Sequence, residues 1–258
     1  MNYELPLVLF TVISQLAVGL SCCVAWRAVT VGLPEAPLGR RWDRFLVGIM
    51  IGLALIASLF HLAQPLRSPT AVNHVAVAWL SREILVFGVF ALLALLTWLA
   101  PSPKGLAAFT AVVGLVGVVI QGFTYAPISM PAVAGPVPFA LFAATALFLG
   151  AAFAQPVVAG KDFTSALRIG LGLFLVILLL APGIWSQGGV VMRQTAEAWL
   201  HSAFYWAALA LTLLALAVSW RSRSAILVCV LALAGAFAGR LVFFASTIHT
   251  ATNIGNLY

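Results

Sequence analysis

Charge is the first thing this chain lacks. Only 7% of its 258 residues are charged, and just six of them are Asp or Glu. A soluble domain carries about 25% charged residues, so this composition excludes an ordinary water-facing globular surface. Cysteine is nearly absent as well. Cys22, Cys23 and Cys229 lie inside apolar runs and form no metal-ligand spacing, which excludes an iron–sulfur cluster held by this protein's own thiolates. They read as small helix-packing residues. With so little polar sequence there is also no room for a soluble catalytic domain, so any chemistry takes place in the membrane or on a partner.

What is present is apolar length. Hydrophobic residues make up 64% of the sequence, and the mean hydropathy is +1.14. A membrane-spanning helix takes about 20 such residues, and the sequence divides into roughly eight runs of that size. They cover about 5–27, 44–63, 79–100, 105–125, 137–159, 166–186, 196–220 and 225–249, separated by Pro-, Gly- and charge-bearing stretches such as LPEAPLGRRWDR, APISMPAVAGPVP and RSRS. Backbone polar groups in lipid must be satisfied within the segment, so these runs are helices. The predicted fold is an all-α polytopic membrane protein, a single integral-membrane anchor domain over 1–258 with about eight transmembrane helices. The first run is too long for a signal-peptide core and lacks a basic leader, and is expected to be retained.

The net charge of +7 would suggest nucleic acid in a soluble protein. Here the cations sit between apolar runs, so they report topology and lipid contact instead. Loops after the first, third, fifth and seventh runs hold Arg27, Arg40, Arg41, Arg44, Lys104, Lys161, Arg168, Arg221 and Arg223. The alternate loops hold Arg67, Arg82 and Arg193. The positive-inside rule then puts the odd loops in the cytoplasm and both termini outside. His61, His74, Glu83, Glu197, His201 and His249 consequently gather towards the outer face.

The stretch FHLAQPLRSPTAVNHVAVAWLSREIL at 60–85 carries the densest chemistry. It sets His61 at the end of the second run and Glu83 just inside the third. An ionisable group at membrane depth is a functional-site candidate. A carboxylate and an imidazole at the mouth of a bundle are what oxidation of a lipid-soluble quinol needs, because the ring hydroxyls must lose protons to a nearby acceptor. The alternative is a structural pair tying the two helices together. Trp79 lies four residues before Glu83 and shares its face, as a pocket wall or as an interfacial belt residue. Arg67 and Arg82 either hold an acidic group or snorkel to headgroups, and Asn73 and His74 are weaker outer-loop candidates. Arg240 lies deep in the last run and demands a partner, either Glu83, Glu197, helix carbonyls or the quinone itself. Glu197, His201 and Tyr205 recur at i, i+4, i+8, as a proton path or an interface stripe. The four histidines exclude a two-haem path across the bilayer. One outer haem on two of His61, His201 and His249 stays open.

Four stretches of the sequence resemble the DmsC family, the membrane anchors of dimethyl sulfoxide reductase and related molybdenum oxidoreductases. They are ELPLVLFTVISQLAVG at 4–19, ASLFHLAQPLRS at 57–68, NHVAVAWLSREI at 73–84 and AGRLVFFAS at 238–246. The resemblance implies an eight-helix bacterial inner-membrane anchor without haem. It implies menaquinol as substrate, oxidised near the outer face, with no tightly bound cofactor in this subunit. Partners would be an Fe–S electron-transfer subunit and a molybdopterin catalytic subunit, with no nucleic acid involved. The family's His and Glu carry over to His61 and Glu83, and its last-helix Arg to Arg240. Arg82 and Trp79 join them as candidate quinol contacts. The sequence departs from the family in placing Ala63-Gln64 before the proline where the family has Gly-Ser, and Arg82 where it has Asn. His249 falls nine residues after Arg240 rather than seven, and the family's Trp after Pro is missing from the outer loop behind the fourth run. Rival readings are a purely structural anchor, a small transporter, and a haem-containing subunit.

Overall fold

The computed structural model describes residues 4–32, 41–60, 73–101, 103–221 and 224–253. The predicted positions His61 and Arg67, and the loop cations Arg40 and Arg223, lie outside them. Among the described residues there are nine α-helices: α1 (Leu5–Thr30), α2 (Trp42–Leu59), α3 (Trp79–Leu99), α4 (Lys104–Thr124), α5 (Val137–Val157), α6 (Thr164–Ser186), α7 (Val190–His201), α8 (Ala203–Arg221) and α9 (Ala225–Ser246). All except α7 are long and apolar enough to cross a membrane, which gives the eight spans expected.

The two innermost helices, α1 and α5, meet at glycine. A Cβ on Gly19 would strike the Ala146 carbonyl, and one on Gly150 would strike the Gly19 backbone. Such small-residue crossings let backbones touch where lipid offers no hydrophobic drive between helices. Around this axis α1 also packs on α2, α4 and α9, and α5 on α6 and α9.

One end of the bundle is cationic. Arg41 donates to the carbonyls of Trp98 and Leu99, and Arg44 to that of Ala100. These are the orphan acceptors at the C-terminus of α3, where a cation also meets the negative end of the helix dipole. Asp43 stands between Arg27 and Arg44, at 3.8 and 3.7 Å. Arg168 reaches the Ser219 carbonyl and lies over the Trp220 ring. Arg44, read from sequence as a loop cation, is therefore a buried residue in the first turn of α2. The opposite end is closed by backbone and hydroxyl contacts, Thr250 N–H to the Ser129 carbonyl and Ile248 N–H to Thr195 Oγ1.

Two prolines sit inside spans, Pro156 in α5 and Pro182 in α6. A helical proline has no N–H to give the carbonyl four residues back. Both orphaned carbonyls are met from a neighbouring helix: Ala152 by the Cys229 thiol at 3.2 Å and Leu178 by the Tyr205 hydroxyl at 3.1 Å. Cys229 is thus a donor and not only a packing residue.

The predicted seventh run differs from what forms. Ser202 is extended and splits it into α7 and α8. Arg193, Glu197 and His201 are exposed on α7, while Thr195, Ala196 and Trp199 are buried. Trp206 Nε1 donates to the freed Leu200 carbonyl at the break. The Glu197–His201–Tyr205 stripe therefore does not exist as one face: Tyr205 is buried on α8 and spends its hydroxyl on Leu178.

Candidate functional site

Glu83 lies in the second turn of α3 and is 1% exposed. Its helix neighbours point it inward, with Phe87 and Phe90, one and two turns on, buried on the same side. The polar side chains beside it belong to the end of α4, Gln121 and Thr124, close enough to act on the carboxyl without completing a hydrogen bond to it. Both carboxyl oxygens are buried without a hydrogen-bond partner among the described residues. Thr124 spends its hydroxyl on the Ile120 carbonyl. A buried acid in this state is costly unless a ligand or a rearranged neighbour completes it.

Gln121 opens onto a series of polar groups that crosses the bundle. Its Oε1 accepts from Gln15 Nε2 of α1 at 2.7 Å, and its own Nε2 donates to Ser14 Oγ at 3.3 Å. Gln15 Oε1 in turn accepts from the Arg240 guanidinium of α9 at 2.7 Å, which also reaches Thr145 Oγ1 of α5 at 3.4 Å. Arg240 is 2% exposed, with the Phe142 ring 4.2 Å and the Phe243 ring 5.8 Å from its central carbon. Cation–π contact substitutes here for part of the lost hydration. Among the described residues no carboxylate pairs with it, so its predicted partners Glu83 and Glu197 are not its contacts. Tyr125, at the end of α4, is within electrostatic reach of Glu83, Arg240 and Glu4, and its ring packs edge-on against Phe142 and Phe244.

The other predicted residues fall around this centre. Trp79 stacks on Phe123 of α4 with ring centroids 4.3 Å apart, outside the buried cluster. Arg82 turns from Glu83 and folds over the Trp79 ring, donating to the carbonyls of Val75 and Ala76. It ties down the segment leading into α3 and forms no pair with Glu83. Asn73 and His74 are exposed. His201 Nδ1 lies 2.8 Å from the Glu197 carbonyl of its own helix, and His249 Nδ1 accepts from the Ala251 N–H. Gln15, Gln121 and Tyr125 were not singled out from sequence. The available signal was a lone glutamine inside each of two otherwise apolar spans, costly to bury unless paired.

An open apolar groove of about 670 Å³ lies between α1, α4 and α5, reaching Asp162 and Phe163 at the cationic half of the bundle. It is lined in part by Gly19, Val118 and Ala146, one helical turn or less from Gln15, Gln121 and Thr145. Glu83 is not part of it.

The profile of the DmsC family, described as the DMSO reductase anchor subunit, matches residues 1–133. That range holds Gln15, Glu83 and Gln121. The C subunit of the anaerobic dimethyl sulfoxide reductase of Haemophilus influenzae is 38% identical over 102 residues, which cover 38% of this protein and 35% of that one. The YnfH subunit of an anaerobic dimethyl sulfoxide reductase of Escherichia coli is 26% identical over 211 residues, 78% of this protein and 72% of that one. The C subunit of the E. coli anaerobic dimethyl sulfoxide reductase is 27% identical over 230 residues, 85% and 78% respectively. The match therefore spans only about a third of the Haemophilus relative's length, and some three quarters of the two E. coli proteins. With the profile covering just over half of its residues, this eight-span protein belongs to the DmsC family of membrane anchor subunits.

Proposed function

We propose that this anchor oxidises menaquinol at a site that includes Glu83, near the outer face of a bacterial inner membrane. The observation that carries the reading is the Glu83 carboxyl, buried in an apolar bundle with both oxygens unpaired among the described residues. Oxidation of a quinol to a quinone releases two protons and two electrons. Glu83 takes one proton from a ring hydroxyl. His61, which the sequence places at the end of the second span, is the second acceptor. The electrons pass to an Fe–S subunit docked on the outer side, and from there to a molybdopterin catalytic subunit. The names of the relatives, which are subunits of dimethyl sulfoxide reductases, support association with the other subunits of such a reductase. The positive-inside count supports the orientation: the cation-rich end faces the cytoplasm, and Glu83 belongs to the opposite end. Protons then leave on the side where the electrons are consumed, so this step moves no charge across the bilayer.

The test is the purified complex titrated with a menaquinol analogue, in wild type and Glu83→Gln. Glutamine keeps the shape and removes the base. Quinol-dependent turnover is expected to fall by about a hundredfold or more, while the complex still assembles and still works with a soluble reductant. Saturable analogue binding and turnover equal to wild type in the variant would remove Glu83 from the site. A wild-type complex that binds no analogue would make this protein a plain anchor.

A further inference from the structure

The polar series beside Glu83 has a fixed direction. A guanidinium has donors only, and an amide has an acceptor at one end and a donor at the other. Arg240 therefore forces the oxygen of Gln15 to face it. Gln15 is left with its nitrogen, which donates to the oxygen of Gln121. Gln121 is left with its NH2 group, carrying two N–H donors, and the contact it makes with Ser14 Oγ is long at 3.3 Å. Ser14 has an alternative, since its hydroxyl also donates to the Thr11 carbonyl. All of Ser14, Gln15, Gln121 and Arg240 are buried, so water does not compete for these groups. The one neighbouring acceptor left unpaired among the described residues is the Glu83 carboxyl.

We propose that Arg240, Gln15 and Gln121 form a one-way hydrogen-bond relay that aims an amide donor at Glu83. When Glu83 is ionised, Gln121 turns its NH2 group from Ser14 to the carboxylate. When Glu83 takes the quinol's proton, Gln121 returns to Ser14. No covalent bond changes in the relay and no amide gains or loses a proton; only the acceptor of one N–H alternates. Each hydrogen bond polarises the next in a low-dielectric interior, so the buried cation of α9 acts on an acid of α3 that it does not touch. Gln121, Gln15 and Arg240 are positioning residues in this scheme. The inference rests on the reading of Glu83 as the proton acceptor.

Two variants isolate it. Gln121→Leu removes the donor. Gln15→Glu keeps an acceptor for Arg240, even giving it a counter-ion, but has no N–H with which to orient Gln121. Quinol-dependent kcat and KM are measured on the intact complex, with the infrared carboxyl band of Glu83 identified by its loss in Glu83→Gln. Each variant is expected to lower kcat by about tenfold with KM within about twofold, as for an interaction used during proton transfer and not in binding. Each is expected to move the Glu83 band, which a merely structural role would leave in place. The double variant should be no slower than Gln121→Leu alone, because both break one relay. If Gln121→Leu fails to assemble, Gln15→Glu carries the test by itself. Wild-type kcat and an unmoved band in these variants, with Glu83→Gln inactive, overturn the relay and leave the acceptor standing. An active Glu83→Gln overturns both.

Discussion

Arg44, in the first turn of α2, and Arg240, in the last third of α9, are equally buried at 2% exposure, yet the bundle treats their charges differently. Arg44 has a carboxylate, Asp43, 3.7 Å away and the terminal carbonyl of Ala100 to donate to. Its neighbours Arg27 and Arg41 share that acid or cap the same helix end. Arg240 has one neutral amide at short range, one long hydroxyl contact and two aromatic faces. The first arrangement meets the charge where it stands, with one shared carboxylate and helix-end carbonyls. The second hands it on through dipoles towards Glu83. Cohesion alone would be served as well by an apolar side chain at that position of α9; a cation left without a carboxylate there is useful only if something else responds to it.

The comparison breaks first at the cationic end. Asp43→Ala leaves the buried Arg44 and the half-buried Arg27 without their shared counter-ion at the bundle end, and the loss of a buried partner costs up to about 3–5 kcal/mol. The expected result is a large fall in the unfolding midpoint of the purified protein in detergent, with quinol turnover per folded molecule unchanged. A midpoint close to wild type would mean that the helix-end carbonyls alone hold these arginines.

Arg240→Met inverts those expectations. Replacing a buried cation by an apolar side chain of similar length is often neutral or stabilising, offset by one stranded amide oxygen on Gln15 worth about 1 kcal/mol. The unfolding midpoint should therefore stay near wild type, while quinol-dependent turnover falls about tenfold or more, the effect of removing an oriented charge from a dry site. The midpoint and the turnover are read on the same preparation. Loss of stability matching Asp43→Ala, with normal turnover, would make Arg240 structural and erase the distinction between the two arginines.

These contrasts also mark what the sequence could tell. The eight spans were legible because apolar length is a local property, and the inward face of Glu83 followed from its being an acid inside one of them. Arg240 was legible as an outlier by the same logic. Its partner was not, because a carboxylate, helix carbonyls or the quinone were the expected partners, whereas the fold supplies an amide 225 residues away. Gln15 and Gln121 are 106 residues apart, and no periodicity brings two such positions together. The break at Ser202 was hidden for another reason. No glycine or proline marks it, and the amphipathic turn of α7 runs directly into the apolar run of α8. The carbonyls beneath Pro156 and Pro182 were predictable as orphans, but not which side chains would meet them.

The smallest effects belong to those proline carbonyls, where helix carbonyls are met from a neighbouring helix as at the cationic end, but in the apolar interior and by neutral donors. Tyr205→Phe removes only the hydroxyl that serves Leu178. Hydrogen bonds between membrane helices contribute about 0.6 kcal/mol on average and up to about 1.7, so the unfolding midpoint should drop slightly and turnover should not change. Cys229→Ala should cost less, because a thiol is the weaker donor. The attribution to proline is checked by a second background. Pro182→Ala restores an N–H four residues after Leu178, and that carbonyl is then satisfied within α6. In this background Tyr205→Phe should cost almost nothing, since the hydroxyl no longer answers a vacancy in the helix ladder. An equal cost in both backgrounds would mean that Tyr205 stabilises α8 through its ring contacts with Trp199 and Trp206, and that the Leu178 carbonyl was never the acceptor that mattered.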